Sequence, residues 1–232
     1  SRGGAEDRVK KSKILIIGAG SLGSAVAENL CRAGALKLSI MDGEKLNIGN
    51  LTRHVLTMAD AGHNKADALV KRLNRISPNA RTTAVPYDFK AEMNETITKS
   101  IRAFDVIVDC TGSDDLLEHL SSFDWQSDKL FISLSVTWGA NGLLAFCAHE
   151  QHFPVVDAKY RFAEVDAPIV RHEDANVEGI GCWHPVFPAD SDDVQQWAAL
   201  SSKFIRSAIL NPDRRLTYYR RADDGAVEVI NA

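Results

Sequence analysis

A glycine-rich loop is the part of this sequence whose residue types and spacing point most directly to chemistry. The loop, residues 18–23 with the sequence GAGSLG, follows the apolar run Ile14–Ile17. In this pattern Gly18 permits a tight turn, Gly20 lets the backbone approach a phosphate closely, and Gly23 lets the next helix pack on the strand. The amino terminus of that helix then offers free N–H groups to phosphate oxygens. The loop therefore predicts a nucleotide site.

Polar residues that follow the loop narrow the chemistry. Asp42 ends the next apolar run, where an acid can accept hydrogen bonds from ribose hydroxyls. Asn50, Arg53 and Lys65 come after it. Attack on a phosphate builds up negative charge, and positive side chains can stabilise the charge that spreads over the phosphoryl oxygens. The sequence therefore predicts a nucleotide whose phosphates are attacked, whereas the loop and Asp42 alone would equally suit a nicotinamide-dependent oxidoreductase.

Residues 14–78 resemble the ubiquitin-activating superfamily, which includes ThiF, MoeB and the eukaryotic ubiquitin-activating enzymes. Besides the glycine loop, the resemblance rests on LKLSIMD at residues 36–42, NIGNLTRH at 47–54 and HNKADA at 63–68. The combination of these motifs is specific. A weaker similarity continues through residues 108–111, and the second half of the chain matches poorly.

The resemblance implies a nucleotide-binding role for seven residues. They are Gly18, Gly20, Gly23, Asp42, Asn50, Arg53 and Lys65. The glycines would hold the phosphates of ATP, and the aspartate would bind the ribose. Asn50 and Arg53 would contact the phosphates, and Lys65 would neutralise charge on the side of the α-phosphate. Arg53 and Lys65 are also the predicted catalytic cations.

The activity that the resemblance implies is the adenylation of a protein. The substrate would be the C-terminal carboxylate of a ubiquitin-like protein, and ATP and Mg²⁺ would be required. Transfer of the acyl group to a cysteine and then to a conjugating-enzyme partner or fused domain would follow. The resemblance also implies a homodimer, and bacterial systems of this kind often act in antiphage defence.

Two positions depart from the family pattern. The family commonly has a Mg²⁺-binding aspartate three residues after Asp109, but this chain has Gly112 there. A hard Mg²⁺ ion needs oxygen ligands, so Asp114 or Asp115 is expected to take over, and we predict Asp114. The second departure is His54, at a position where the family often has glutamine.

Cys182 is the predicted nucleophile for a thioester. It lies between Gly181 and Pro185, which keep it out of regular structure, and His184 is close enough in sequence to lower the pKa of its thiol. The alternative is that Cys182 is a packed thiol in a turn. The other three cysteines fall in predicted helices or strands.

Three other functions are also consistent with these residues. The chain could be a nicotinamide-dependent oxidoreductase, which would leave the predicted phosphate-binding cations unexplained. It could adenylate a small molecule, a peptide or a tRNA without forming a thioester. The glycine at position 112 could also mark a pseudo-enzyme that only binds nucleotide.

The elements that must position these residues form an α/β fold. Short apolar runs alternate with helical patterns, which predicts a doubly wound, mostly parallel, Rossmann-like sheet with helices on both faces and antiparallel strands toward the C-terminus. The predicted strands are residues 13–18, 36–41, 81–86, 104–110, 130–136 and 142–148, and the predicted helices are residues 21–33, 63–76 and 114–123. A helix beginning near Asp190 and a hairpin around Asp224 and Gly225 complete the chain.

The domain organisation follows from these elements. Residues 1–12 are expected to be a linker or cloning residues, residues 13–148 a nucleotide-binding core, residues 149–189 a crossover loop that carries the candidate cysteine, and residues 190–232 a C-terminal helix and hairpin of the same domain. The first residues suggest a domain excised from a longer fusion.

Composition excludes some classes of function. The net charge of −4 argues against a nucleic-acid surface. The sequence has no apolar run of the roughly 20 residues that span a bilayer, so no membrane partner is expected. The four cysteines form no Cys-x-x-Cys pair, which argues against a zinc site or a disulfide framework and favours a reducing, cytoplasmic setting.

Overall fold

The architecture is a single eight-stranded sheet covered by helices on both faces. The computed structural model describes residues 7–166, 189–222 and 224–231. The strands are β1 Lys13–Ile17, β2 Lys37–Met41, β3 Thr83–Val85, β4 Val106–Asp109, β5 Lys129–Val136, β6 Gly142–Glu150, β7 Arg215–Arg221 and β8 Val227–Asn231. The described helices are α1 Asp7–Lys11, α2 Ser21–Arg32, α3 Lys65–Ile76, α4 Glu95–Arg102, α5 Asp114–Ser122, α6 Val155–Asp166 and α7 Ser191–Leu210.

Strand order confirms the predicted doubly wound sheet. The order is β3-β2-β1-β4-β5-β6-β7-β8, with parallel pairing from β3 to β5 and antiparallel pairing from β5 to β8. The chain runs outward from β1 in one direction and then returns to the other side through β4. In such a sheet the ligand crevice lies beyond the carboxyl ends of the strands where the direction of winding changes, here at β1 and β4.

Alternation along the strands builds two separate cores. In β1, Ile14 and Ile16 pack with α2, α3 and α7 on one face, while Leu15 and Ile17 pack with α4, α5 and α6 on the other. Because side chains of a strand point alternately to opposite faces, a strand apolar at every position must be covered on both. The second core is aromatic, and the rings of Phe123 and Trp125 lie 4.6 Å apart, edge to face.

The predicted elements are present, with ends that differ by up to two residues. Asp190 is the N-cap of α7, and β7 and β8 form the predicted terminal hairpin. Three helices were not expected from the sequence. One is α4, which begins after the cap Asn94 and buries only Ile101. Its apolar face consists of Ile97 and Ile101, four residues apart, and eight residues are a short window in which to detect a helix.

The stretch predicted as a loop over residues 149–189 contains the helix α6. Val155 and Ala158 are buried on its inner face, and Phe162 and Val165 pack against the same core. The acids and the proline around this face masked its spacing in the sequence. Residues 167–188, including the predicted nucleophile Cys182, lie outside the described residues.

The N-terminal stretch predicted as a linker over residues 1–12 also contains a helix, α1. Val9 is buried against the first core, and the guanidinium of Arg8 donates a hydrogen bond to the carbonyl oxygen of Leu210 at 3.3 Å. One buried side chain in a five-residue helix is too weak a pattern to predict. Among the described helices, none has both the length and the apolar character to cross a bilayer.

Candidate functional site

A cavity of about 430 Å³ opens at the carboxyl ends of β1, β2 and β4. This is the edge at which the topology of the sheet predicts a ligand. The lining described side chains and backbone come from the glycine loop, from the turns after β2 and β3, and from the start of α5. They are Ile17, Gly18, Gly20, Ser21, Leu22, Met41, Asp42, Glu44, Asn50, His54, Lys65, Asp88, Phe89, Lys90, Cys110, Thr111, Ser113, Asp115, Leu116 and His119.

The glycine loop has the shape of a phosphate cradle. Gly18 has a φ of +89°, which favours glycine, and a Cβ there would lie 2.7 Å from the Cγ2 of Thr111. A Cβ on Gly23 would lie 1.9 Å from the carbonyl oxygen of Gly18. A Cβ on Gly20 would meet no described atom within 4 Å, and Gly20 is an N-cap of α2 without a side-chain cap. The start of α2 thus has space and backbone donors for an anion.

Asp42 is held at the mouth of this loop by two backbone donors. The N–H of Ala19 donates to Oδ2 at 2.7 Å, and the N–H of Glu44 donates to Oδ1 at 2.8 Å. Burial raises the pKa of the Asp42 carboxyl above its ordinary value, while these two hydrogen bonds act in the opposite direction. Each carboxylate oxygen retains a second lone pair, so the group can still accept from a ribose hydroxyl.

Both predicted cations are buried rather than spread on the surface. Arg53 is 6% exposed and Lys65 is 3% exposed. The ammonium of Lys65 pairs with the carboxylate of Glu44, whose side chain is mostly exposed. Buried charges need partners, because desolvation of a cation is costly. A surface-charge interpretation of Arg53 and Lys65 is therefore inconsistent with the structure.

The two cations differ in their relation to the cavity. Lys65 lines it, at the first position of α3, but Arg53 is not among the described lining residues. The guanidinium of Arg53 donates to the carbonyl oxygen of Ala189 at 3.4 Å, just before α7. Asn50 lines the cavity at the end of a single 3₁₀ turn, Ile48–Asn50, and its side-chain oxygen accepts the N–H of Asn47 at 3.1 Å.

The region around position 112 offers one carboxylate to the cavity. Ser113 caps α5 by accepting the N–H of Leu116 at 3.3 Å, so α5 begins at Asp114. Of the two acids considered for a metal, Asp115 lines the cavity and Asp114 does not. Within residues 7–166, 189–222 and 224–231, no group of three or more His, Cys, Asp and Glu side chains could hold a metal ion. A Mg²⁺ ion here would need phosphate and water oxygens in addition.

Asp109 has a structural setting at the end of β4. It is buried, and it accepts the N–H and the hydroxyl of Thr111 and the hydroxyl of Ser133, at 2.7–2.9 Å. Burial raises the pKa of its carboxyl. With its oxygens taken up by these donors, Asp109 fixes the turn that leads from β4 to the cavity and to α5.

The described cysteines are poorly suited to act as nucleophiles. Cys31, Cys110 and Cys147 are all buried. Burial raises the pKa of each thiol, for Cys110 well above its ordinary value. A thiol must be accessible and ionised to attack a carbonyl carbon. The predicted nucleophile Cys182 lies outside the described residues.

Several lining residues escaped the sequence analysis. Glu44 lies two residues after Asp42, and this second acid in the same turn was a detectable signal in the sequence. Asp88 and Lys90 follow β3, whose carboxyl end must meet that of β2 in a parallel pair. His119 lies one helical turn after Asp115, which places both side chains on the same side of α5.

The lining fits a nucleoside triphosphate. Met41, Phe89 and Leu116 supply apolar surface for a base, and Asp42 supplies an acceptor for a ribose. The glycine loop and the buried ammonium of Lys65 supply donors and positive charge for phosphates. The small number of polar groups in a largely preformed cleft is typical of ligand sites.

Comparisons with known proteins show the family of this chain. The ThiF family matches residues 3–173. The ATP-dependent ubiquitin transferase-like protein Cap2 of Enterobacter hormaechei subsp. hoffmannii is 51% identical over 228 residues, which cover 98% of this chain and 38% of that protein. The sulfur carrier protein adenylyltransferase of Thermus thermophilus is 31% identical over 109 residues, 47% of this chain and 39% of that protein. The chain thus spans about two fifths of the length of these curated relatives.

Solved structures share the fold. Escherichia coli MccB in a crystal structure with ATP superposes with a TM-score of 0.64 at 14% identity, covering 98% of this chain and 66% of MccB. The structure of PaaA superposes with a TM-score of 0.69 at 15% identity, covering 98% of this chain and 65% of PaaA. Likeness at this level of identity concerns the architecture alone.

Proposed function

Because the chain belongs to the ThiF family, we propose that it uses ATP to adenylate the C-terminal carboxylate of a ubiquitin-like protein. The observation that carries the proposal is the buried ammonium of Lys65, which lines one cavity with Gly18 and Gly20, together with the burial of Arg53 earlier in the same stretch of chain. Hydride transfer builds up no charge on a phosphorus, so an oxidoreductase would not need these cations for its chemical step. The relative that is half identical to this chain is named a ubiquitin transferase-like protein, which favours a protein substrate over a small molecule.

The proposed reaction transfers AMP to a carboxylate. An oxygen of the carboxylate attacks the α-phosphorus of ATP and forms a new P–O bond. The bond from the α-phosphorus to the bridging oxygen breaks, and pyrophosphate leaves with the electron pair. Negative charge therefore builds up on the phosphoryl oxygens as two anions meet, and the site must stabilise that charge.

Each group in the cavity has a part in this reaction. The N–H groups at the start of α2 bind phosphate oxygens, and Gly18, Gly20 and Gly23 allow the backbone to come close enough. Asp42 orients the ribose. Lys65 exchanges its partner Glu44 for a phosphate oxygen and, together with Arg53 and Asn50, screens the developing charge.

Mg²⁺ would screen the phosphates and orient them when bound. Asp115 is the better placed of the two candidate ligands because it lines the cavity, and Asp114 stays a second candidate. The absence of an acid at position 112 makes the position of the ion a distinguishing feature of this chain.

A thioester step on Cys182 extends the proposal. The thiolate would attack the acyl carbon of the adenylate, AMP would leave, and the acyl group would then pass to a conjugating-enzyme partner or fused domain. A homodimer and a place in antiphage defence belong to the same proposal.

The decisive experiment is ATP–pyrophosphate exchange with the ubiquitin-like protein encoded beside this chain. We expect exchange that depends on that protein and on its free C-terminal carboxylate, and none when the carboxylate is amidated. Exchange with a small carboxylate or peptide alone would redirect the proposal to another substrate. Tighter binding of NAD than of ATP would overturn it.

A second experiment separates the thioester from adenylation. Cys182→Ala should keep the exchange reaction and lose an adduct that is cleaved by reducing thiols, whereas Cys147→Ala should keep both. Cys147 is a suitable control because its thiol is buried in β6. Persistence of the adduct in Cys182→Ala would assign the acyl acceptor to another residue.

A further inference from the structure

His54 contacts the glycine loop at Ala19, the residue whose N–H Asp42 accepts. Its Nε2 lies 2.7 Å from the carbonyl oxygen of Ala19, and its Nδ1 accepts the backbone N–H of Leu56 at 3.1 Å. Because Nδ1 is an acceptor, the ring proton of the neutral imidazole must be on Nε2. His54 therefore donates to Ala19, and burial keeps the ring neutral by lowering its pKa from 6.5 to about 4.

Two successive peptide groups of the loop are thus held. Asp42 accepts the N–H of Ala19, which belongs to the peptide between Gly18 and Ala19. His54 donates to the carbonyl of Ala19, which belongs to the peptide between Ala19 and Gly20. In a trans peptide the carbonyl and the N–H point in opposite directions. Fixing the Ala19 carbonyl toward His54 therefore fixes the Gly20 N–H away from it.

We infer that His54 is a positioning residue that prevents rotation of the Ala19–Gly20 peptide and so keeps the Gly20 N–H available to a phosphate. Gly20 makes this restraint necessary, because a glycine opposes such a rotation least. The inference rests on the proposed function only for the identity of the anion. The restraint on the loop is a property of the chain itself.

The imidazole is anchored well enough to act in this way. Leu56, whose N–H it accepts, is 3% exposed and packs with Leu46 and Ala68. The ring therefore bridges a small apolar cluster under α3 and the loop at the start of α2. A side chain that keeps one donor and one acceptor at about the same reach should replace it, whereas a side chain with neither should not.

Three variants and two readouts test this inference. His54→Ala removes both hydrogen bonds, and His54→Gln keeps an amide donor and a carbonyl acceptor. Asn94→Ala is a matched control, since it removes one helix cap, at 2.9 Å from the N–H of Ile97, on helix α4, which contributes no described lining residue to the cavity. The readouts are hydrogen exchange of residues 18–23 in the full nucleotide-free protein, and the KM for ATP against kcat in pyrophosphate exchange.

We expect His54→Ala to speed exchange in residues 18–23 and to raise the KM for ATP about tenfold, the equivalent of one hydrogen bond from the Gly20 N–H to a phosphate, with little change in kcat. His54→Gln should restore both, and Asn94→Ala should change neither. Unchanged hydrogen exchange in His54→Ala would overturn the inference. Faster loop exchange in a protein whose wild type binds no ATP would support the restraint and refute the proposed function.

Discussion

Lys65 is a buried cation whose neutralising partner, Glu44, remains largely in solvent. An ion pair of this kind contributes little to stability. The exposed carboxylate is already well solvated by water, and burying the ammonium has a desolvation cost. We therefore attribute the burial of Lys65 to binding rather than to folding. The guanidinium of Arg53 is also buried, and it donates to the carbonyl oxygen of Ala189.

The first prediction concerns Lys65→Met. We expect kcat for pyrophosphate exchange to fall roughly 100-fold, because one preorganised charge is lost from the transition state, with a change in the free energy of unfolding of no more than about 1 kcal/mol. Stopped-flow or radiolabel exchange and urea unfolding measure the two effects. The control is Lys71→Met on the exposed side of α3. Equal loss of activity in both variants would contradict the assignment.

The second prediction follows from the buried imidazole of His54. Its pKa is lowered from 6.5 to about 4, chiefly by burial, while Lys65 and Arg72 lower it and Asp60 raises it through their charges. The unfolded chain therefore binds a proton between pH 6.5 and 4 that the folded protein excludes. Stability contributed by the neutral ring is present above pH 6.5 and is lost as the pH falls.

The measurement compares wild type with His54→Gln. Between pH 7 and pH 4.5 the wild type should lose about 2 kcal/mol more free energy of unfolding than the variant, which has no titrating group at this position. Other groups, such as Asp42 with its raised pKa, titrate in both proteins and cancel in the difference. Parallel pH profiles would show that the ring is solvated or protonated in the folded state.

At the scale of elements, Asn64 links the cap of α3 to the ribose side of the cavity. Its side-chain oxygen accepts the N–H of Asp67 at 3.1 Å, and its amide donates to the carbonyls of Asp42 and Glu44 at 2.9 and 3.2 Å. Asn94 caps α4 by accepting the N–H of Ile97, its one side-chain hydrogen bond within the described parts of the chain. Both asparagines cap a helix, but of the two it is Asn64 that also donates hydrogen bonds to residues lining the cavity.

The third prediction uses this pair. Asn94→Ala should cost about 1 kcal/mol of unfolding free energy, the usual value of a helix cap, and leave ATP binding unchanged. Asn64→Ala should cost about 2–3 kcal/mol, because two further acceptors lose their donor, and weaken ATP binding. Denaturant unfolding and calorimetric titration with ATP measure both. Equal costs would show that the two links to residues 42 and 44 contribute nothing.

The elements themselves were largely predictable, because their signals are local. Strand β1 is apolar from Ile14 to Ile17 and strand β4 from Val106 to Val108, and glycine or polar turns follow them, so covering helices on both faces could be inferred. The helix α6 was missed because its apolar face, Val155 and Ala158, lies between acids and lacks a clear cap. A helix without a clear local pattern cannot be predicted from the spacing of its residues.

The site could be predicted only in part for the same reason. The glycine loop, Asp42 and Lys65 belong to contiguous motifs and do line one cavity. The contact between Arg53 and Ala189 joins residues far apart in the chain, and the hydrogen bond from His54 to Ala19 depends on how two turns meet. Neither contact can be predicted from the spacing or the periodicity of residues in the sequence.

At the scale of the whole molecule, the cavity joins the two cores that the sheet separates. Leu22 belongs to the core under α2 and α7, whereas Ile17 and Leu116 belong to the aromatic core on the opposite face, and all three line the cavity. A nucleotide bound there would contact both cores at once. Since every central strand contributes side chains to both, neither core can be lost without exposing the other.

The fourth prediction is that the described domain unfolds as one unit and that ATP stabilises all of it. At a free ATP concentration of 100 times the Kd, the free energy of unfolding should rise by about 2.7 kcal/mol. Ile205→Val in the first core and Phe146→Leu in the second should each lower a single transition by about 1 kcal/mol, and ATP should raise the transition of both variants equally. Calorimetry and circular dichroism, with urea as denaturant, provide the measurement. If ATP stabilised only one variant, or if the melting curve split in two, the cores would be independent and the cavity would belong to one face of the sheet.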